Sequence, residues 1–394
     1  MGKSWAVMWS AFLASVAVVY NQFKVSPAMG VLREQLHVDM VTGGWLMSIF
    51  AVAGIVLALP AAAILMRLGP KVSGLVAMGS VVLGSAMGAT AGSPVTLLVS
   101  RGIEGIGLGL IAVVAPAVVA MWFEPHERGL PMGIWAAWVP VGATSALNLG
   151  NPIINMVGWR GLWWSGALLA AIAFVVYGLV VTGPPLKEGE KAKATGPEPS
   201  LATGLKQPAI WLLALSFAGY SFVAISFGTW APSYYQERFG LDAGTAGFYA
   251  GLMFLVASFV VVIAGKILDL ISNRYRMLLI SVVLTGLLYC CAFILNSPAL
   301  IIPFVVGIGF ISSFYAPTVF TLAPETMPSP ELAGVAMGIM NVGTNVGALL
   351  GPPLVGAAVN AAGNWAYGTL PVAGAMAVCV GAAFVFAGLV KPRG

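Results

Sequence analysis

The chain has 394 residues, of which 59% are hydrophobic and only 8% charged, and its mean hydropathy is +0.96. That composition excludes an ordinary water-soluble domain and points to a chain whose folded surface faces lipid. The formal net charge of +5 calls for no nucleic-acid partner, because the basic residues sort to one side of a membrane, as set out below.

In chain order, twelve apolar runs are expected as membrane-spanning helices: near 5–32, 42–65, 73–91, 95–122, 131–156, 161–182, 208–235, 245–267, 277–296, 299–322, 334–358 and 367–390. Each holds about 20 residues, enough to cross a hydrocarbon core of ~30 Å. The first follows Lys3, is too long for a signal peptide and is closed by no small-residue cleavage site, so it is expected to be retained. Between the sixth and seventh runs, the polar stretch from Gly183 to Gln207 contains Lys187-Glu188-Gly189-Glu190-Lys191 and several prolines. It reads as a linker. The expected fold is an all-α membrane protein of twelve transmembrane helices in two pseudo-symmetric six-helix bundles, 1–182 and 208–394, joined by a cytoplasmic linker at 183–207.

The second half repeats the first. At an offset of 203, Asp39 pairs with Asp242, Gly44 with Gly247, Ala62 with Gly265 and Met66 with Asp269; further on, Ala115-Pro116 answers Ala316-Pro317 and Met132-Gly133-Ile134 answers Met337-Gly338-Ile339. Tandem copies of a multi-helix unit are how many secondary transporters build a site between repeats, so transport is the expected class of function. Orientation follows from the basic residues. With both termini cytoplasmic, thirteen lysines and arginines lie inside, among them Arg67, Lys71, Lys206, Arg274 and Arg276, and only Arg33, Arg160 and Arg238 lie outside. The expected location is the cell membrane, multi-pass.

Most remaining features have plain structural readings. Cys290, Cys291 and Cys379 fall within apolar runs with no metal spacing; His37 and His126 fall in loops. Gly105, Gly107 and Gly109, like Gly343, Gly347 and Gly351, lie inside apolar helices and mark faces for close packing. There is no nucleophile beside a base and no His/Cys/carboxylate constellation, so neither a catalytic residue nor a metal or cofactor is expected and an enzyme is not.

Charge inside the membrane is the exception, because an ionisable group there costs at least ~2.5–3.5 kcal/mol at a helix centre. Lys24 in the first span and Arg101 and Glu104 in the fourth qualify. At 1.5 Å per residue they lie about 12, 9 and 14 Å from the outer ends of their helices, one common depth. Together they carry a charge of +1, which suits one carboxylate. The alternative is that Lys24 snorkels outward and Arg101 pairs with Glu104 only to hold helices together. Polar neighbours extend the candidate binding set: Tyr20 and Asn21 beside Lys24, then Tyr220, Tyr315, Asn341 and Asn345 in the second half, which has no embedded charge. Asn341 and Asn345, four apart, share a helix face.

Two loop patterns name a family. Gly265-Lys-Ile-Leu-Asp269-Leu-Ile-Ser-Asn-Arg274 resembles the Gly-x-x-x-Asp-x-x-x-x-Arg loop of the major facilitator superfamily, and Ala62 to Lys71 is its counterpart with Met66 in place of the aspartate. The resemblance implies that the first and fourth helices line a central cavity and that Asp269, with Arg274, is a gate holding the cytoplasmic end closed, favouring an outward-open resting state. Arg101-Gly-Ile-Glu104-Gly105-Ile-Gly107-Leu108-Gly109 is similar to the organic anion:cation symporters, with Leu108 where those carry a second carboxylate. Tyr20-x-x-x-Lys24 resembles monocarboxylate transporters, and Met132-Gly133-Ile134-Trp135 with Gly158-Trp159-Arg160-Gly161 resembles the cyanate and nitroimidazole permeases. The expectation is a secondary transporter for a small organic anion, most simply a monocarboxylate, working by alternating access with protons as partner and Glu104 as coupling group, functional as a monomer in the bilayer. An exporter of drugs or other hydrophobic compounds is the alternative.

Overall fold

The computed structural model describes residues 2–58, 60–124, 127, 129–182, 201–270, 273–329 and 332–390. His126, Arg128 and most of the expected linker lie outside the described residues. So do the side chains of Lys266 and Asp269.

The chain is α-helical: α1 (Gly2–Phe23), α2 (Val25–Leu36), α3 (Met40–Ser48), α4 (Phe50–Val56), α5 (Pro60–Ala89), α6 (Pro94–Trp122), α7 (Gly129–Ala136) and α8 (Trp138–Val180) precede the short α9 (Leu201–Leu205). The second half holds α10 (Pro208–Phe239), α11 (Ala243–Leu270), α12 (Arg274–Cys290), α13 (Ile301–Glu325), α14 (Ala333–Ala362) and α15 (Thr369–Leu389). Nine helical stretches among the described residues are long and apolar enough to cross a bilayer. The twelve expected spans map onto these helices with two adjustments. One stretch, Leu130–Val180, contains the fifth and sixth spans run together, while Met40–Val56 and the 17-residue α12 each fall short alone. The joints inside α5 and α8 are glycines, Gly69 (φ 74°) and Gly158 (φ 75°), a conformation that a Cβ would strain. Pro70 follows Gly69 at the start of the next helical segment, where its missing N–H has no partner to lose.

The repeat is visible in matching contacts. Asp39 and Asp242 cap α3 and α11 by accepting from the amides of Thr42 (2.7 Å) and Thr245 (2.9 Å). Gly105 packs on the backbone of Phe50, and Gly309 on that of Met253, 203 residues further on. A Cβ on Gly44 would stand 2.6 Å from Pro353 Cα in α14, and one on Gly247 would stand 2.7 Å from the Leu147 carbonyl in α8. These two glycines therefore let α3 meet α14 and α8 meet α11, the matching seams between the halves.

Both seams lie toward the ends of the helices that carry His37 and Gly240. Further bonds cross there: Ser26 Oγ donates to the carbonyls of Gly228 (2.9 Å) and Thr229 (2.8 Å), Ser48 Oγ to that of Ala348 (3.0 Å), and Asn151 Nδ2 to that of Ala243 (2.6 Å). On the surface, Arg33 pairs with Glu237 at 2.7 Å, and Trp365 Nε1 donates to the other oxygen of the same carboxylate at 2.8 Å. The apolar core divides accordingly. One cluster joins the second half to this end of the first half, and a separate cluster, including Val7, Ala14, Ile111, Val118 and Tyr177, belongs to the first half alone. Among the described residues, these bonds between the halves lie at the end opposite Asp269, whose gating role is an expectation that they do not address. Arg274, one of the two expected gate residues, is held by Glu325 of α13 at 2.5 Å.

Candidate functional site

The helix break between α1 and α2 falls on Lys24, and α6 brings Arg101 and Glu104 alongside it. Close approach is possible because α5 presents Gly84, where a Cβ would come within 2.7 Å of both Glu104 Cγ and the Ser100 carbonyl. All three charged side chains are fully buried. Lys24 Nζ donates to Glu104 Oε1, Asn21 Oδ1 and Ser85 Oγ, each at 2.7 Å, so its three protons are used. Arg101 Nη1 donates to Glu104 Oε2 and to the Asn21 carbonyl (2.5 Å), Nη2 to the Gln22 carbonyl (2.8 Å) and Nε to the Leu46 carbonyl (2.9 Å). Four of the guanidinium's five N–H groups are thereby used.

One carboxylate thus bridges two cations. Without Glu104 the buried cluster would hold two uncompensated positive charges, a cost of several kcal/mol per ion. With it, the residual charge is +1, and aromatic faces absorb part of that field: Trp163 lies 4.9 Å from Lys24 Nζ and Phe50 lies 4.1 Å from Arg101 Cζ. The outward-snorkelling alternative for Lys24 is removed by these contacts.

The cluster sits inside the first bundle. The described polar and aromatic partners of the three charges come from α1, α3, α4, α5, α6 and α8, none from the second half. Tyr20 and Asn21 belong to its margin: Tyr20 shares a hydrogen bond with Ser165 at 2.8 Å, and Asn21 Nδ2 donates to the carbonyls of Ala17 (2.9 Å) and Gly166 (3.1 Å). The second-half candidates are not brought to it. Tyr315 is fully buried and bonded to Ser216 (2.6 Å), with the half-buried Tyr220 edge-on to its ring at 5.2 Å. Asn345 turns its amide onto Asn341, to the carbonyl at 2.8 Å and the side-chain oxygen at 3.0 Å, so the shared face is bonded within itself. Ser85, Trp163 and Phe50 were missed by sequence reasoning. A serine, a tryptophan and a phenylalanine in apolar helices carry no signal until the facing helix is known.

A helical, twice-repeated bundle with nine apolar helices among the described residues, seams between its halves and an ion cluster buried inside the first, has the character of a secondary transporter rather than an enzyme. The family model described as Major Facilitator Superfamily matches residues 11–352 and, in a second match, 252–393. The chain belongs to that superfamily, and it is a multi-pass membrane protein. It is similar to the hexuronate transporter of Bacillus subtilis, with 24% identity over 386 residues, 93% of this chain and 90% of the relative. It is also similar to the D-galactonate transporter of Escherichia coli, with 22% identity covering 88% and 86%. Among solved structures, a bacterial homologue of the human lysosomal transporter Spinster, in an inward-facing and occupied conformation, superposes with a TM-score of 0.76 at 16% identity, covering 96% of this chain and 95% of that one. That likeness shows the fold.

Proposed function

We propose that the protein is a proton-coupled secondary transporter for a polyhydroxylated organic anion bearing one carboxylate, a sugar acid such as a hexuronate or an aldonate. The observation that carries this reading is the single Glu104 carboxylate held between Lys24 and Arg101. Those cations have almost no donor to spare, so a substrate carboxylate engages them by taking the place of Glu104. Protonating Glu104 vacates that place. Substrate bound there raises the affinity of Glu104 for a proton, and the reciprocity couples an inward proton gradient to accumulation. The place vacated is that of one carboxylate between two cations, which suits one substrate carboxylate and disfavours a cation or a tricarboxylate. The relatives named for hexuronate and D-galactonate support the class, and their substrates' hydroxyls call for hydrogen-bonding groups such as Tyr20 and Asn21 on one side and Tyr220, Asn341, Asn345 and Tyr315 on the other.

In this reading both termini are cytoplasmic and the chain works as a monomer. Asp269 and Arg274 gate the inner end when the halves rock about the site, and Arg274 exchanges its partner Glu325 as that end closes. Purified protein in liposomes, offered labelled hexuronate, aldonate, simple monocarboxylates and a lipophilic cation with and without an inward pH gradient, tests the proposal. Accumulation of a one-carboxylate sugar acid that rises with the gradient is expected. Movement of the lipophilic cation alone would instead support the exporter reading, and sugar-acid uptake indifferent to pH would remove proton coupling.

A further inference from the structure

Three of Arg101's donors face away from Glu104, and their targets are specific. The carbonyls of Asn21 and Leu46 lie four residues before Val25 and Phe50, the residues at which α2 and α4 begin. In an uninterrupted helix each of these carbonyls would accept from the amide four residues on. The guanidinium therefore sits on the interruption of the first span and on that of the second at once. Nη2 adds the neighbouring Gln22 carbonyl, and Pro27, which has no N–H, leaves the next carbonyl, that of Phe23, without its helical donor.

The bonds that seal the two halves begin beside these joints. Ser26, two residues beyond Lys24, reaches the carbonyls of Gly228 and Thr229. Ser48, one residue before the second joint at Ile49, reaches that of Ala348. The direction of α2 and α3 from these joints decides whether Gly44 meets Pro353 and whether Arg33 meets Glu237.

We propose that Arg101 is a positioning residue: its backbone-facing N–H groups fix the two joints, and so set the closure of the end that carries His37 and Gly240. A lysine could keep the charge and the pairing with Glu104, but its point-like ammonium cannot hold three carbonyls on two helices in a fixed fork. The proposal rests on the transport reading only for its trigger, since displacing or protonating Glu104 removes the anion that orients the guanidinium. The pinning itself needs no substrate.

The test is made without substrate. With the three native cysteines replaced, spin labels at Glu34→Cys on α2 and Arg238→Cys on α10, both exposed, report the width of this end by pulsed electron-spin distance measurement. The parent is expected to give one short distance. Arg101→Lys should add a longer component at least several-fold more populated, and Glu104→Gln should add a smaller share of the same component. Ser26→Ala with Ser48→Ala, outside the cluster, should produce that component too and marks its position. Should Arg101→Lys fail to fold, Glu104→Gln decides alone. Distance distributions that overlay the parent's would overturn the pinning role, whether or not sugar-acid uptake is lost. Uptake lost with closure unchanged would make Arg101 a substrate contact only.

Discussion

The two halves share a skeleton and differ at its centre. At the offset of 203 Lys24 corresponds to Phe227, and the paired glycines Gly105 and Gly309 set Arg101 against Val305 and Glu104 against Ile308. All six side chains are buried. In the first half they form an ion cluster on backbone carbonyls. In the second, Phe227 packs among Tyr235, Tyr289, Phe293 and Phe304 with ring separations of 5.9 to 6.4 Å. The same helix crossing is thus filled once by charge and once by aromatic surface. An aromatic cluster has one well-packed arrangement, whereas a carboxylate between two cations has a second state available at the cost of a proton. The difference teaches that a repeat need not divide its chemistry evenly: the buried charge lies in the first half, and aromatic packing fills the matching place in the second.

Removing charge from the first half should have the largest effect. Lys24→Gln is expected to reduce sugar-acid uptake by at least about 30-fold, the equivalent of about 2 kcal/mol for a lost buried charge pair. Parent-like uptake by correctly folded Lys24→Gln protein would break the comparison at its functional end.

Adding charge to the second half tests the converse. Phe227→Lys would bury an ammonium among aromatic rings with no carboxylate beside it, a loss on the order of 3–5 kcal/mol. Thermal unfolding in detergent should show a marked drop in midpoint and in folded yield. An unchanged midpoint would mean that either half accepts a central charge.

The seams should behave alike where the centres do not. Gly44→Val and Gly247→Val each place carbon against the opposite half's backbone, for about 1–3 kcal/mol of overpacking. Both should lengthen the distance between spin labels at Glu34→Cys and Arg238→Cys at the closed end to similar extents. A response from one glycine only would confine the symmetry to the sequence.

Much of this was legible in the chain. The repeat and the spans follow from hydropathy, and the embedded ions stand out because lipid makes them expensive; equal depths on two helices brought Lys24, Arg101 and Glu104 together. What could not be read was direction. The cluster faces Ser85 and Trp163 on α5 and α8 because Gly84 lets α5 approach, and a glycine in an apolar helix does not announce its neighbour. The closed end was also hidden: it is set by contacts such as Gly44 against Pro353 and Ser48 on the Ala348 carbonyl, and neither a glycine nor a serine in an apolar run names its partner. Glu325, 51 positions from Arg274, and Glu237, 204 from Arg33, carry no local pattern that names their partners.

The smallest effect concerns the two equivalent caps. Hydrogen bonds from Thr42 and Thr245 hold the carboxyls of Asp39 and Asp242 below the ordinary carboxylate value. A depressed pKa contributes stability that is present above the unfolded value and lost as pH falls through the folded one. Asp39→Ala and Asp242→Ala should each lower the unfolding midpoint slightly at pH 7, and both deficits should shrink as pH falls below about 4. A deficit at one cap that persists in acid would show that its aspartate acts other than as a charged cap.

The central claim is that Glu104 exchanges its place between Lys24 and Arg101 for a substrate carboxylate when it takes up a proton. Glu104→Gln, reconstituted in liposomes with a labelled sugar acid on both sides, tests this most directly. The account predicts that the variant still exchanges label across the membrane but no longer accumulates it in response to an inward pH gradient. A folded Glu104→Gln protein that concentrates the sugar acid under that gradient as the parent does would contradict it.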